Sequence, residues 1–274
     1  MKSLITALLA LSLAACAAPA RDDAPHAAAP AELRVATLNI YHDKAEWPKR
    51  LPLIVAQLRA LDADVIALQE VLQTADLPNQ ARTLGDALGY SVQFVSTDPE
   101  GQAHRYGNAL LTRLPVIEQD WTRLEPHDDS RSMGHARLRF DGGPIDVYFT
   151  HLHWTLEGGA IRRRQLEDAR AFIARRRDAP SLVLGDFNAP ASAPEIGVLD
   201  GHVDTYAALH PDADAAGATT LNPHFFDYRA RIDLVLAQRG RFDVREARIV
   251  LDVPGVDGTW PSDHFGTFVV LRAR

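Results

Sequence analysis

Cysteine is almost missing from this chain: Cys16 stands alone among 274 residues. A single thiol excludes an intrachain disulfide and a thiolate-rich metal site. Basic residues are outnumbered, 29 Lys and Arg against 36 Asp and Glu, and the formal charge is −7. A net negative field does not draw a protein to phosphate backbones, so any nucleic-acid contact has to come from a local patch. No internal repeat occurs, and no Pro/Gly/Ser-rich linker interrupts the chain after residue 31, which predicts one domain over 32–274. No GxGxxG follows the first predicted strand, so a dinucleotide-binding fold has little support.

What is present begins with "MKSLITALLALSLAAC", a Lys, an apolar run and small residues leading to Cys16. This is the layout of a secretory signal over 1–15, and "LAAC" resembles a bacterial lipobox, in which Cys16 is lipidated and becomes the first mature residue. Residues 16–31 are mostly Ala and Pro and read as a tether. The expectation is a periplasm-facing lipoprotein of a bacterial envelope, monomeric and held at a membrane through Cys16. Ala17 in place of Asp points toward the outer membrane.

"LRVATLNI" (33–40) and "ADVIALQE" (63–70) read as strands. Between them Trp47, Leu51, Ile54, Leu58 and Leu61 recur at helical spacing. Pro48 and Pro52 place the regular start of this helix near Pro52. A strand–helix–strand crossover is parallel, so Asn39 and Glu70 come to one sheet edge although they are 31 positions apart. A second helix is predicted over 79–88, stopped by Gly89. "YSVQFV", "NALLT", "ARLRF" and "IDVYFT" then read as an antiparallel meander, followed by a helix over about 159–177. Its arginine clusters, Arg162 to Arg164 and Arg175 to Arg177, read as a solvated helix face. "SLVLGDFN", "RIDLVLA", "ARIVL" and "GTFVVLRA" supply the remaining strands. Two packed sheets with helices outside fit this order better than one doubly wound sheet.

Polar residues stand at the ends of these apolar runs: Asn39, Glu70, Asn108, His151, Asp186, Asn188, Asp233, Asp263 and His264. Singly, each passes as a turn or structural residue. Together, three Asp, one Glu and two His at comparable places argue for an oxygen-ligand metal site with histidine acid–base partners, suited to Mg²⁺ or Mn²⁺. In "GDFN", Gly185 is expected to let the backbone bend and Phe187 to pack inward. Asp186 and Asn188 are expected to share one face through the two-residue strand period.

The motifs "TLNI", "LQE", "GNALLTR", "THLHW", "GDFN", "RIDLVL" and "SDHFG" occur in an order that resembles the endonuclease/exonuclease/phosphatase superfamily, over about 34–272. The resemblance implies an α/β (α+β) fold, a four-layer sandwich of two packed mixed β-sheets flanked by helices on both outer faces, with its site at one end. It also implies Mg²⁺-dependent attack of water on a phosphate ester. Glu70 would be the main metal ligand, with Asn39 and Asp263 contributing. His264 would contact the scissile phosphate or act as base, its tautomer fixed by Asp233. Asp186 would align or deprotonate the water, Asn188 would donate to a phosphate oxygen, and His151 would stabilise the phosphate or protonate the leaving oxygen. Asn108 would brace Asp186 or its loop.

The pattern has two gaps. Tyr41 stands where several relatives carry a carboxylate, and no Glu near 104–108 stands ready to orient His151. Substrate is less defined: nucleic acid, a phospholipid head group or a small phosphodiester. Arg105, Tyr106, Arg131 and Trp260 are possible groove contacts for a nuclease. "NPHFFDY" (222–228) and "GTWP" (258–261) are possible bilayer contacts for a sphingomyelinase-type phosphodiesterase. A catalytically inactive lipoprotein binding module on the same fold is the alternative of another class.

Overall fold

In the computed structural model, β1 (Glu32–Asn39) and β2 (Val65–Gln73) run parallel, with Asn39 opposite Gln69. Residues 31–274 are described; the expected signal segment, Cys16 and the tether as far as residue 30 lie outside them. Helix α1 joins the two strands but spans Trp47–Leu61, so it starts five residues before Pro52. Arg50 N–H closes its first turn on the Glu46 carbonyl at 3.3 Å. Pro48 falls in that first turn, where a missing N–H is harmless, while Pro52 is tolerated inside. Burial of Trp47, Ile54, Leu58 and Leu61 outweighs the proline cost. Helix α2 (Gln80–Leu88) has an Asn79 side-chain cap on Arg82 N–H and a left-handed Gly89 at its end.

The predicted meander splits between two sheets. β3 (Ser91–Ser96) and β4 (Arg105–Thr112) join β1 and β2, whereas β6 (Ser132–Phe140) and β7 (Gly143–His151) belong to the second sheet. β5 (Val116–Arg123), its edge strand, is largely exposed and has no apolar run to announce it. The other strands are β8 (Ser181–Asp186), β9 (His202–Asp204), β10 (Asp233–Gln238), β11 (Phe242–Val250) and β12 (Gly266–Ala273). One sheet has the order β11-β12-β1-β2-β4-β3 and the other β5-β6-β7-β8-β10-β9. Each has one parallel pair, β1–β2 and β7–β8.

Three apolar layers hold the assembly. The middle one lies between the sheets and contains Val35, Ala67, Leu110, Val147, Phe149, Leu184, Val235 and Val269. α1 and α2 cover the outer face of the first sheet. α3 (Gly159–Ile173) covers the second through Leu166, Ala169 and Phe172. The architecture is the expected four-layer sandwich. α3 ends four residues before 177, and Arg175 and Arg176 continue as tight turns on Phe172 and Ile173. The arginine clusters are not simply solvated. Arg162 is buried and bonded to Glu195 at 2.8 Å, and Arg176 pairs with Glu118 and Asp120.

Strand alternation turns this core into a platform. Side chains at every second position share a face, so each inward row runs on from apolar to polar. Val35 leads through Thr37 to Asn39, Leu110 to Asn108 and Tyr106, Phe149 to His151, Leu184 to Asp186, and Val235 to Asp233. The antiparallel and parallel registers bring these polar ends to one edge: His151 lies opposite Asp186, and Asp186 opposite Asp233.

Candidate active site

A cavity of about 500 Å³ opens at that edge. It is lined by Asn39, Glu70, His151, Asp186, Asn188, Asp263 and His264 from the expected set, together with Tyr106, Arg131, Trp154, Leu156, Phe226 and Tyr228. Most of the expected side chains are nearly out of water: Asn39 and Asp186 are 1% exposed and Asp233 is 0%.

Glu70 reaches the cavity by an irregularity. By alternation Val65, Ala67 and Gln69 point into the core, and Glu70 belongs to the outer face. A bulge between Leu68 and Val71 breaks the register with β4, and Glu70 takes φ 58°. Bulges re-aim side chains in this way. Gln69 stays buried and donates to Thr37 Oγ1 at 3.2 Å.

Asp186 sits at the centre of the polar contacts. Its Oδ2 accepts from Asn39 Nδ2 at 3.0 Å and lies 3.4 Å from His151 Nε2 and 3.9 Å from His264 Nδ1. Its Oδ1 accepts the Asn188 backbone N–H at 2.8 Å. Strand β8 ends at Asp186, and Asn188 is left-handed at φ 49°, so the turn rather than the strand period brings Asn188 to the cavity. One of its amide hydrogens goes to the Leu152 carbonyl at 3.0 Å, leaving the other for a ligand. Phe187 is fully buried against Leu166 and Phe172, a burial that contributes about 2–3 kcal/mol. Gly185 is needed both for its backbone conformation and for close approach. At φ 146°, an added Cβ would lie 2.0 Å from the Thr150 carbonyl oxygen of β7.

His264 Nδ1 meets Asp233 Oδ2 at 2.9 Å, both groups buried. Asp233 only accepts, so it holds the proton on Nδ1 and leaves Nε2 as the ring's working atom. The two cavity histidines are driven apart. Burial and then the neighbouring charges of Arg131 and His264 push His151 well below the ordinary imidazole range. Burial also opposes charge on His264, but Asp233, Asp186 and Asp263 outweigh it and hold its pKa well above that range. Such a split assigns a neutral and a cationic ring to one site. The carboxyl of Asp263 is pushed up to about 6, by burial first and by Glu70 as a like charge. Burial, then Asp233, raises Asp186.

Asn108 does not reach Asp186. Its amide donates across the sandwich to the Ser132 carbonyl at 3.5 Å, a long contact between the two sheets. Of the four possible groove contacts, Tyr106 and Arg131 line this cavity. The Arg105 guanidinium lies over the Phe94 ring, and Trp260 lines a separate cavity with His224 and Phe225. Trp154 and Leu156, 67% and 74% exposed, form one wall; "THLHW" already held the Trp, three positions after His151. Arg50 left no sequence signal. Buried in α1, it donates to the carbonyls of Ile40, Tyr41, His42, Lys44 and Pro261 at 2.7–3.0 Å. It thereby ties the loop after β1 to the segment carrying Asp263 and His264.

The donor set suits a divalent cation. Asn39, Glu70 and Asp263 offer oxygen ligands in the cavity, and Glu70 and Asp263 are close enough that each like charge disfavours the other. The compact group of metal-ligating types among the described residues is different: Asp186, Asp233 and His264, whose ligand atoms lie within 4.8 Å of one another. The His264–Asp233 hydrogen bond already uses Nδ1, so this group reads first as a His–Asp dyad with a second carboxylate, Asp186, beside it.

Comparison with known proteins supplies the family. The sequence profile of the Endonuclease/Exonuclease/phosphatase family matches residues 36–264. The chain belongs to this family. Its members are phosphoric ester hydrolases. A mouse relative, Protein angel homolog 2 (Mus musculus), is 29% identical over 164 residues, covering 54% of this chain and 30% of its own. The match thus spans less than a third of that relative. Among solved structures, the human Nocturnin catalytic domain with bound sulfate aligns with a TM-score of 0.72 at 22% identity, over 89% of this chain and 94% of that one. TDP2 from D. rerio, complexed with single strand DNA product, gives 0.73 at 18%, over 88% and 99%. An endonuclease/exonuclease/phosphatase from Beutenbergia cavernae gives 0.68 at 24%, over 88% and 72%. At these identities the structural neighbours establish the shared fold.

Proposed function

We propose that this protein is a divalent-cation-dependent phosphodiesterase that hydrolyses a nucleotide-containing phosphodiester, with Mg²⁺ or Mn²⁺ held by Glu70, Asn39 and Asp263. The observation that carries the reading is the Asp186–His264–Asp233 arrangement, 2.9–3.9 Å between partners, which presents Asp186 and His264 to the cavity that three oxygen ligands and Arg131 also line. A bound cation would supply Lewis-acid stabilisation of the phosphoryl oxygens. The protein's own groups do the rest. Asp186 orients the attacking water through its cavity-facing carboxylate. His264, cationic and aimed by Asp233, stabilises charge on the phosphate, and the free Asn188 amide hydrogen donates to a non-bridging oxygen. His151 is placed to exchange a proton at the leaving oxygen. Arg131, which lines the cavity and has Asp129 3.9 Å from its Nε, brings a positive charge for a further phosphate oxygen.

Nucleotide chemistry is favoured by exposed aromatic edges around the mouth, Trp154 and Tyr228, since bases stack on such faces. The DNA product bound by the D. rerio neighbour and the sulfate in the human one support the same choice. The test is ³¹P NMR on the full chain with an oligodeoxynucleotide, sphingomyelin vesicles and an inositol phosphate. Each is run with Mg²⁺, with EDTA and as the Asp186→Ala variant. A new signal from the oligonucleotide alone, requiring both Mg²⁺ and Asp186, is expected. Cleavage of sphingomyelin alone would transfer the assignment to a phospholipid phosphodiesterase. Silence across the panel from folded protein would favour an inactive binding module. We further propose lipidation at Cys16, to be read by mass spectrometry of the N-terminal peptide from a bacterial envelope fraction.

A further inference from the structure

The loop after β1 is bent against the preferences of its residues. Tyr41, His42, Ala45 and Glu46, none of them glycine, have φ of 56°, 27°, 48° and 58°. Such conformations persist where the surroundings over-determine them, and they gather at functional sites. Here the His42 carbonyl is pinned by two donors, Arg50 Nη2 from α1 and Gln80 Nε2 from α2, each at 2.7 Å. The effect is to hold the His42 ring beside Glu70 and edge-on to Tyr106.

In the neutral ring, the form that can bind a metal, Asp43 sets the tautomer. His42 Nδ1 meets Asp43 Oδ1 at 2.7 Å. A carboxylate only accepts, so Nδ1 carries the proton and Nε2 keeps a bare lone pair. This lone pair faces Glu70 Oε2 across 3.9 Å. The separation is too long for a hydrogen bond, and two acceptors facing each other need positive charge between them. Ligand atoms each about 2.1 Å from one ion stand roughly 3 Å apart when adjacent in an octahedron and about 4.2 Å when opposite. The 3.9 Å gap lies between the two, so a small rotation of the ring would let both atoms reach one ion. A carboxylate on the far ring nitrogen is also the usual support for a metal-bound histidine.

We propose that His42 Nε2 is an additional ligand of the cation at Glu70, oriented by Asp43, and that it shifts the site's preference from Mg²⁺ toward Mn²⁺. The imidazole is the reason for the shift, because Mg²⁺ takes oxygen ligands and Mn²⁺ accepts nitrogen more readily. The inference rests on Glu70 being a cation ligand, and the experiment separates the two claims.

The full chain is loaded with substoichiometric Mn²⁺ and examined by electron spin echo envelope modulation, with affinity measured by titration. Expected is a ¹⁴N modulation from bound imidazole that disappears in His42→Ala, with Mn²⁺ affinity falling at least tenfold and Mg²⁺ affinity falling less. Asp43→Ala, which keeps the ring, weakens Mn²⁺ binding by about 10-fold and serves if His42→Ala fails to fold. No ¹⁴N modulation in the unmodified protein, or modulation that survives His42→Ala, overturns the assignment. So does Mn²⁺ affinity unchanged in folded Asp43→Ala. Mn²⁺ binding unchanged in Glu70→Gln overturns the underlying reading of the metal site.

Discussion

Strand β7 carries a buried polar residue near each of its ends, and the two ends are built on opposite terms. Near its start, Asp146 is fully buried but compensated: His135 Nε2 lies at 2.8 Å, and Arg137 grips both carboxylate oxygens at 2.9 Å while also holding Asp178. Burial alone would raise the Asp146 pKa, yet the Arg137 and His135 bonds outweigh it and hold it below the ordinary value. At the far end His151 faces Asp186, equally buried, whose pKa is raised by burial and by Asp233. The same residue type at the same depth is driven in opposite directions. The difference lies in how fully the fold compensates the buried charge. At the Asp146 end it supplies an arginine. At the cavity His264 offsets only part of the charge of Asp186, Asp233 and Asp263, and room is left for a further cation. Backbone strain follows the same division. Of nine non-glycine residues with positive φ among those described, Tyr41, His42, Glu70 and Asn188 flank or line the cavity, and Ala45 and Glu46 lie in the same loop as Tyr41.

The contrast is broken most strongly by His264→Ala. Removing the ring aimed by Asp233 should lower kcat about 10³-fold, within the range for acid–base groups, as followed by single-turnover hydrolysis. At the other end, Arg137→Ala leaves Asp146 buried without its main partner. It should destabilise the protein by about 3 kcal/mol in urea unfolding, while kcat of the folded fraction stays near that of the unmodified enzyme. A smaller effect of opposite sign is expected from Asp263→Asn in EDTA. Removing a like charge beside Glu70 should raise stability by about 1 kcal/mol while hydrolysis with metal falls. A variant less stable than its parent would contradict the uncompensated charge at the cavity.

The smallest effect sharpens the comparison through pH. Asp146 has a folded-state pKa below its unfolded value near 3.9. Its contribution is therefore complete above pH 4 or so and lost as pH falls through the folded-state value. Asp263 has a folded-state pKa of about 6. Its contribution is complete below the unfolded value and lost as pH rises through about 6. In metal-free protein, the gap between parent and Asp146→Asn should close on acidification below pH 4. The gap between parent and Asp263→Asn should change between pH 4 and 7, with the parent losing ground as pH rises. Parallel curves for both variants would show the two ends to be alike.

Much of the site could be read in advance because regular strands translate sequence position into direction. Asn39, His151, Asp186 and Asp233 each lie on the inward row of an apolar strand, so alternation alone aims them between the sheets. The order of the motifs carried the family, and the caps of α2 were written locally in Asn79 and Gly89. The start of α1 was misread because proline preference is local, whereas the helix is settled by burial of Trp47. β5 was invisible because an exposed edge strand needs no apolar pattern.

The sequence by itself determined where the apolar strands form, which of their faces is buried and which polar residues end on that face, since these follow from the two-residue period and the distribution of apolar side chains. Tertiary structure decided what happens where the period fails. The bulge that turns Glu70 inward, the left-handed turn at Asn188, the five carbonyls gathered by Arg50 and the approach of His42 to Glu70 all depend on partners far along the chain. At a break in regular backbone, neighbours in sequence no longer fix where a side chain points. Only the packed surroundings do.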